Sequence, residues 1–411
     1  MARDGTGSDD PALIRRLGLT DAVLIGLGAM VGAGVFSAFA PAAAAAGSGL
    51  LIGLAIAALV AYCNATSSAW LAARYPQSGG TYVYGRERLG GFWGHLAGWS
   101  FVVGKTASCA AIALTVGLYA WPEAARAVAV AAVVALTVLN YTGVQKSALL
   151  TRVIVAAVGA VLIAVVAIVA SAGHVDAAHL ELTSDSTVGG VLQAAGLLFF
   201  AFAGYARIAT LGEEVRDPAR TIPRAIRTAL GIALVLYAVV AVTVLAELGP
   251  ALSSSSAPLA DAVQAAGAGG FAPVVRAGAS AAALGSLLAL ILGVSRTTLA
   301  MARDRHLPHA LAAVHPKFGS PHRAEVAVGI VVAVLCATVD LRGAIGFSSF
   351  AVLLYYAVAN AAAWTLGHRA VPALGLVGCL VLAFSLPLDA VLAGAAVVAV
   401  GAVSYAVRAR R

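Results

Sequence analysis

The chain has 411 residues, of which 61% are hydrophobic and 11% charged, against about 25% charged in a typical soluble domain. That composition points to a membrane protein and argues against a soluble enzyme. The net charge of +8 does not imply nucleic acid, because the Lys and Arg residues are dispersed through short connecting segments and form no single basic face.

A membrane span needs about 20 mostly apolar residues. Twelve such segments are predicted, at roughly 20–41, 48–70, 91–119, 124–140, 153–172, 188–211, 228–248, 272–302, 324–340, 344–364, 370–386 and 388–407. The first twenty residues are polar, and the first apolar stretch is too long for a signal-peptide core. It is expected to be an uncleaved span.

Span one carries the most informative pattern. Gly26, Gly28, Gly32 and Gly34 interrupt the apolar run from Ile25 to Phe36. Glycine costs about 1 kcal/mol relative to alanine inside a helix, and hydrocarbon offers an open backbone no partner. The cluster therefore reads as a helix that unwinds at mid-membrane and exposes peptide groups to a polar solute, as in secondary transporters. Close helix packing through small residues accounts for the spacing equally well. Gly28 and Gly32 mark the expected break.

Lys105 falls well inside span three, about fourteen residues past Gly91. A buried ammonium in lipid is a functional candidate. It reads either as a proton carrier or as a structural lysine paired with backbone carbonyls, Thr106 or Ser108. Span six carries Gly204 near its middle, beside the aromatic cluster Phe199, Phe200, Phe202 and Tyr205. Interruptions at matching places in spans one and six point to an inverted repeat with the site at its interface. Arg207 lies about two turns before Glu213 and Glu214 and reads as a snorkelling or gating cation, and Arg296 as an anchor of span eight. His95, His174 and His179 show no metal-ligand spacing. The cysteines Cys63, Cys109, Cys336 and Cys379 sit in apolar segments without a CxxC pattern, so neither disulfide nor metal site is expected. No cofactor is implied.

The 26 Lys and Arg residues set the orientation. All but six lie in alternate connections. Only Arg126, Arg276 and Arg342 lie in the other set, and Lys105, Arg207 and Arg296 lie in or at the edge of spans. Basic connections stay inside, so both termini are expected in the cytoplasm, at the cell membrane. The outward segments around 173–187 and 249–270 hold no Lys or Arg; they carry Asp176, Glu181, Asp185, Asp261 and the serine run Ser253–Ser256. No GxxxxGK[ST] loop is present to bind ATP.

Two broken helices would read both ends of an α-amino acid. Amides around Ala33 and Gly34 open the second half of span one, where a carboxylate sits well. Carbonyls near Met30, Phe200 and Ala203 suit an ammonium. Met30, Phe200 and Phe202 would form an apolar wall. No acidic residue occurs at mid-depth of spans one, three, six or eight, and a cationic substrate would normally need one. A neutral, apolar side chain is therefore expected.

The run Gly28-Ala-Met-Val-Gly-Ala-Gly-Val-Phe36 resembles the first-helix signature of the amino acid–polyamine–organocation (APC) transporters. Three further stretches are similar to that superfamily in order: Tyr75–Tyr84, Phe199–Tyr205 with Glu213–Pro223, and Ser295–Asp304 ending in His306-Leu-Pro308. The resemblance covers residues 15 to about 365.

It implies an all-α polytopic membrane protein of about twelve helices in the LeuT-type arrangement, with helices one and six broken. After a tail over 1–19, the first five-helix repeat would cover 20–172. The second would cover 188–340 and the following span to 364. Peripheral helices would follow over 370–407. It also implies a permease working by alternating access, a carboxylate at Ala33 and Gly34, an ammonium at Met30, Phe200 and Ala203, and an aromatic gate at Phe200. Gly204 belongs to the same site.

Two positions depart from the pattern. A lysine found in the fifth helix of proton-coupled relatives falls near Val158 here, in a span without ionisable residues over 153–172. The often acidic position two after Gly204 is Ala206, followed by Arg207. A membrane-embedded enzyme would need clustered His, Asp or Cys, and a channel would need a repeated filter motif; neither is visible. The alternative that survives is a sensor or chaperone subunit that kept the fold without transport.

Overall fold

A computed structural model describes residues 17–75, 79–143, 148–172, 175–182, 186–209, 211 and 214–409. Among these the regular structure is helical, apart from one bridge between Leu17 and Val215. Helices close their own hydrogen bonds within one segment, which a chain in hydrocarbon requires.

Span one is three pieces: α1 (Leu19–Met30), α2 (Gly34–Ser37) and α3 (Phe39–Ala46). Then come α4 (Leu50–Arg74), a short α5 (Thr81–Leu89), α6 (Gly91–Ala120), α7 (Ala125–Tyr141) and α8 (Ala148–Ala172). Span six is α9 (Val188–Phe202), a 3-10 turn (Ala203–Tyr205) and α10 (Ala206–Ala209). The chain continues through α11 (Pro218–Leu248), a short α12 (Pro258–Ala265), α13 (Ala272–Arg303), α14 (His322–Thr338), α15 (Leu341–Trp364), α16 (Ala370–Phe384) and α17 (Leu388–Ala409).

Each of the twelve predicted spans is matched by a helix or an interrupted helix. Ten are long and apolar enough to cross a membrane, while α14 and α16 are shorter, at 17 and 15 residues. The chain is thus a multi-pass membrane protein. The main boundary error is α11, which starts ten residues before the expected 228. Pro218 at its first position needs no N–H partner there, and the helix runs on through Arg220, Arg224 and Arg227.

Burial separates inner from outer helices. In α6 every residue from Gly104 to Gly117 is buried, so its apolar surface is enclosed on all sides. In α8 only a stripe is buried, through Val158, Leu162, Val165 and Val169, while Val153 and Ile163 are exposed. That helical spacing turns one face to protein and the other to lipid. Leu388, Leu392 and Val403 of α17 are likewise exposed.

Polar side chains tie the inner helices together. Fully buried Asn360 of α15 donates Nδ2 to Asn64 Oδ1 of α4 at 2.6 Å, and its Oδ1 accepts from Ser67 Oγ at 2.7 Å. Gly375 of α16 must be glycine here, because a Cβ would lie 2.4 Å from Asn360 Oδ1. Ser108 and Ser348 join α6 to α15 at 2.5 Å.

The face bearing the arginine-rich connections is latched. Leu17 N–H donates to Glu214 O at 3.0 Å and Arg216 N–H to Leu17 O at 2.9 Å. Asp21 of α1 pairs with Arg152 of α8. Tyr82 of α5 donates Oη to Asp304 Oδ2 at 2.5 Å, and His306 Nδ1 lies 2.9 Å from the same hydroxyl.

Candidate functional site

Both predicted interruptions exist, and they meet. α1 stops at Met30 and the chain restarts as α2 at Gly34. The Ala33 carbonyl accepts from the N–H groups of Phe36 and Ser37 and from Ser37 Oγ at 2.9 Å. The first N–H groups of a helix have no acceptor within it, so those of Gly34 and Val35, ahead of the Phe36 and Ser37 donors, are the available ones. The second interruption is milder: α9 tightens into a single 3-10 turn before α10.

Glycines let the two interrupted helices touch backbone to backbone. A Cβ on Gly34 would lie 2.4 Å from Ala201 Cα in α9, and one on Gly204 would lie 2.4 Å from Ala29 O in α1. Each break therefore lodges against the other helix. Gly32 meets Ser286 of α13, where a Cβ would lie 1.8 Å from Oγ, and Gly26 meets Ile208 of α10. Unwinding and close packing, offered by the sequence as alternatives, hold together. Gly28, expected to mark the break, lies instead inside α1, because the helix closes its hydrogen bonds as far as Met30 and only Gly32 falls in the interruption; it is also less tightly pressed, a Cβ lying 3.2 Å from Val155 Cγ2. Its carbonyl accepts from Ser286 Oγ at 3.0 Å.

Two of the three carbonyls expected to receive an ammonium, Met30 and Ala203, already carry protein donors. Tyr237 of α11 directs its one hydroxyl proton at Met30 O at 2.6 Å and at Ala201 O, which is not among them, at 3.0 Å. Lys105 donates Nζ to Ala203 O at 3.3 Å, and Tyr356 Oη lies 3.5 Å from that oxygen. Lys105 thus has a carbonyl partner, as its structural reading required, and that carbonyl lies at the second break. A carbonyl oxygen has two lone pairs, so neither contact closes it to a ligand.

Of the aromatic cluster, Phe199 packs on Tyr356 with centroids 5.8 Å apart, and Phe202 on Tyr237 at 5.1 Å. Phe199, Phe202 and Tyr205 are fully buried, whereas Phe200 keeps 9% of its surface. Met30 and Ala33 are buried beside it. Arg207 follows in α10; its expected partner Glu213 lies outside the described residues, as do His174 and Asp185. His95 is a packed residue with Nε2 3.0 Å from Gly401 O. Among the described residues no three His, Cys, Asp or Glu side chains gather as metal ligands do.

Sequence reasoning missed Tyr237, Tyr356, Ser286 and Ala201. The signal that could have found the tyrosines is a phenol in an otherwise apolar span, which needs a polar partner when buried.

A pocket of about 300 Å³ with a mixed lining opens on the face opposite the arginine-rich one, where Ser37, Ser253–Ser256, Asp340 and Arg342 stand among apolar groups such as Ala40, Leu118 and Leu341. Ser37 lies three residues past Gly34, so the pocket reaches α2. A larger cleft of about 640 Å³ runs between α6, α14, α15 and α17. It is away from both breaks, and its apolar lining suits hydrocarbon better than a zwitterion.

Interrupted helices that meet backbone to backbone within a multi-pass bundle are the arrangement of a membrane transporter, and the relatives are named as transporters and not as enzymes. The family model described as amino acid permease matches residues 17–406, and the chain belongs to that family. It is 69% identical over 403 residues to an uncharacterised transporter of Mycobacterium tuberculosis, covering 96% of this chain and 92% of that protein. It is 29% identical over 359 residues to a branched-chain amino acid permease of Bacillus subtilis, covering 81% and 77%. A chloroplastic cationic amino acid transporter of Arabidopsis thaliana is 29% identical over 377 residues, covering 84% and 65%.

Proposed function

We propose that this chain is a secondary active transporter for neutral, apolar L-amino acids, working by alternating access across the cytoplasmic membrane. The arginine-rich connections and both termini face the cytoplasm. Residues 20–172 and 188–364 form two inverted five-helix repeats, each opened by an interrupted helix, and 370–407 lies outside them.

The observation that carries the reading is the reciprocal seating of Gly34 on Ala201 and Gly204 on Ala29. It holds peptide groups of opposite polarity within one small volume. Ala33 and Gly34 take the carboxylate through their N–H groups. The carbonyls around Met30, Phe200 and Ala203 take the ammonium, with Gly204 allowing the close approach. Phe200 gates the site, backed by Phe202. The ligand enters through the pocket at Ser37, and the latched arginine-rich side must open to release it. The branched-chain relative agrees with an apolar side chain; the cationic one does not.

The test is thermal-shift screening of the purified protein against all amino acids, followed by flux into proteoliposomes with and without a pH gradient. A ligand at about 100 times its Kd stabilises the bound state by about 2.7 kcal/mol, a measurable shift. Leucine-like residues should shift the melt and be taken up. Arginine or putrescine outcompeting them would overturn the substrate class. Binding without flux would make the chain a sensor that kept the fold.

A further inference from the structure

We infer that Lys105 makes the site refuse ligands of net positive charge and require a carboxylate. This inference rests on placing the ligand at the two breaks, as proposed above, and deepens that reading from substrate shape to substrate charge.

Fixed charge is unevenly spread through the depth of the protein. The chain has 18 Asp and Glu residues, and those among the described residues lie near helix ends or in the short elements and connections between spans. Asp21 is the third residue of α1, Glu247 the last but one of α11, Glu325 the fourth of α14 and Asp389 the second of α17. Lys105 is the opposite case. It is the fifteenth of the 30 residues of α6, at the middle of the span, and only 7% of its surface is exposed.

Its ammonium has three N–H donors. Among the described residues its partner is the Ala203 carbonyl, at the long distance of 3.3 Å, and none of the ion pairs includes it. Ionisable groups at this depth normally pair with an opposite charge. Here that charge is missing from the protein and can arrive with the ligand.

The position of the ammonium makes this specific. Lys105 stands on the oxygen that an α-amino group would use. When a zwitterion enters, its ammonium takes a lone pair of Ala203 O, and Lys105 turns to the ligand's carboxylate. A decarboxylated amine brings a second cation to the same oxygen and nothing to offset it. A 2-hydroxy acid brings the carboxylate alone, which neutralises Lys105 and leaves its seat undisturbed. The filter therefore ranks ligands by the carboxylate, not by the amine.

The experiment is competition against labelled leucine, by binding to purified protein and by proteoliposome uptake. The competitors are the decarboxylated amine of leucine and its 2-hydroxy analogue. In the wild type the amine should be about 100-fold or more weaker than leucine, the scale set by a like charge a few ångström away. The hydroxy acid should fall within about tenfold of leucine, having lost one hydrogen-bonding group. Lys105→Met keeps the length and removes the charge. It should shrink the amine's disadvantage about tenfold and weaken the hydroxy acid about tenfold, while Lys105→Arg should keep the wild-type order.

An amine that competes as well as leucine in the wild type overturns the inference without any variant. So does a Lys105→Met protein that melts normally and keeps the wild-type ranking. If no amino acid binds, the amino acid reading fails, yet the charge filter is still read by thermal shift. The simple carboxylate 4-methylpentanoate should then stabilise the wild type and not Lys105→Met, and the corresponding amine should stabilise neither. Equal shifts from acid and amine would sink the filter as well.

Discussion

A single methyl group placed at Gly34 tests the contact on which the site is built. In Gly34→Ala the new Cβ would lie 2.4 Å from Ala201 Cα and 2.6 Å from its Cβ. Ordinary contact begins at 3.4 Å, so α2 must retreat from α9 by about 1 Å. Overpacking of this kind costs about 1–3 kcal/mol, or roughly 5- to 150-fold in the population of the paired arrangement. Transport should fall at least about tenfold, because binding groups displaced by this much lose their alignment. The assay is initial-rate uptake into proteoliposomes, normalised to folded protein. Gly293→Ala in α13 is the control, since nothing lies within 4 Å of its added Cβ. Its uptake should match the wild type. Ala201→Gly combined with Gly34→Ala should rescue poorly, because the closest clash is with Cα and survives the second change. Wild-type uptake in Gly34→Ala would show that the two helices are not seated as described.

Tyr237→Phe removes the hydroxyl shared by Met30 O and Ala201 O. Leaving a buried acceptor without its donor costs about 1–3 kcal/mol, so the melting temperature should drop and a cysteine probe at position 33 should label faster; unchanged labelling would refute the clamp. Asn360→Leu breaks the Asn64–Ser67 network and should lower the melting temperature more than Tyr237→Phe, because two or more buried polar atoms lose partners at once. His306 is held below its ordinary value of about 6.5, chiefly by burial and further by Arg408 and Arg86, with Asp304 opposing. The unfolded chain then binds the proton more readily, so stability is complete above about pH 6.5 and is lost as the pH falls below it. Melting temperatures measured from pH 7.5 to 5.5 should fall, and His306→Gln should flatten the slope; an identical slope would clear His306 of the effect.

The fold was legible where one physical rule dominates. Apolar runs of bilayer length located a helix or interrupted helix at each of the twelve expected places, ten of them long and apolar enough among the described residues to cross a membrane. The rule failed at α11, because Arg220, Arg224 and Arg227 raise the polarity of a segment that is helical beyond the apolar region. It also overstated α16, which ends at Phe384, two residues before the expected 386, whereas α14 has the expected length and starts two residues early. At the site, glycine spacing flagged the right segments, since a cluster that costs helix stability needs a reason. What each glycine faces was not legible, because Gly32 meets Ser286 and Gly34 meets Ala201 only after distant helices pack. Lys105 could be read as needing a carbonyl, but no spacing rule connects residue 105 to residue 203. Tyr237 stands out only as a phenol in an apolar span, which says that it needs a partner and not which one. Its partners are set by tertiary packing alone.

The bridge between Leu17 and Val215 has a kinetic meaning. It couples the entry to α1 with the chain leaving α10, so an opening of this face, as the proposed cycle requires, would carry both segments together. Among the ties on this face are two peptide hydrogen bonds, each worth about 1 kcal/mol, the half-exposed Asp21–Arg152 pair, worth at most about 1 kcal/mol, and the Tyr82–Asp304 hydrogen bond. Each of these ties is individually weak, and they lie on the side that the proposed cycle must part.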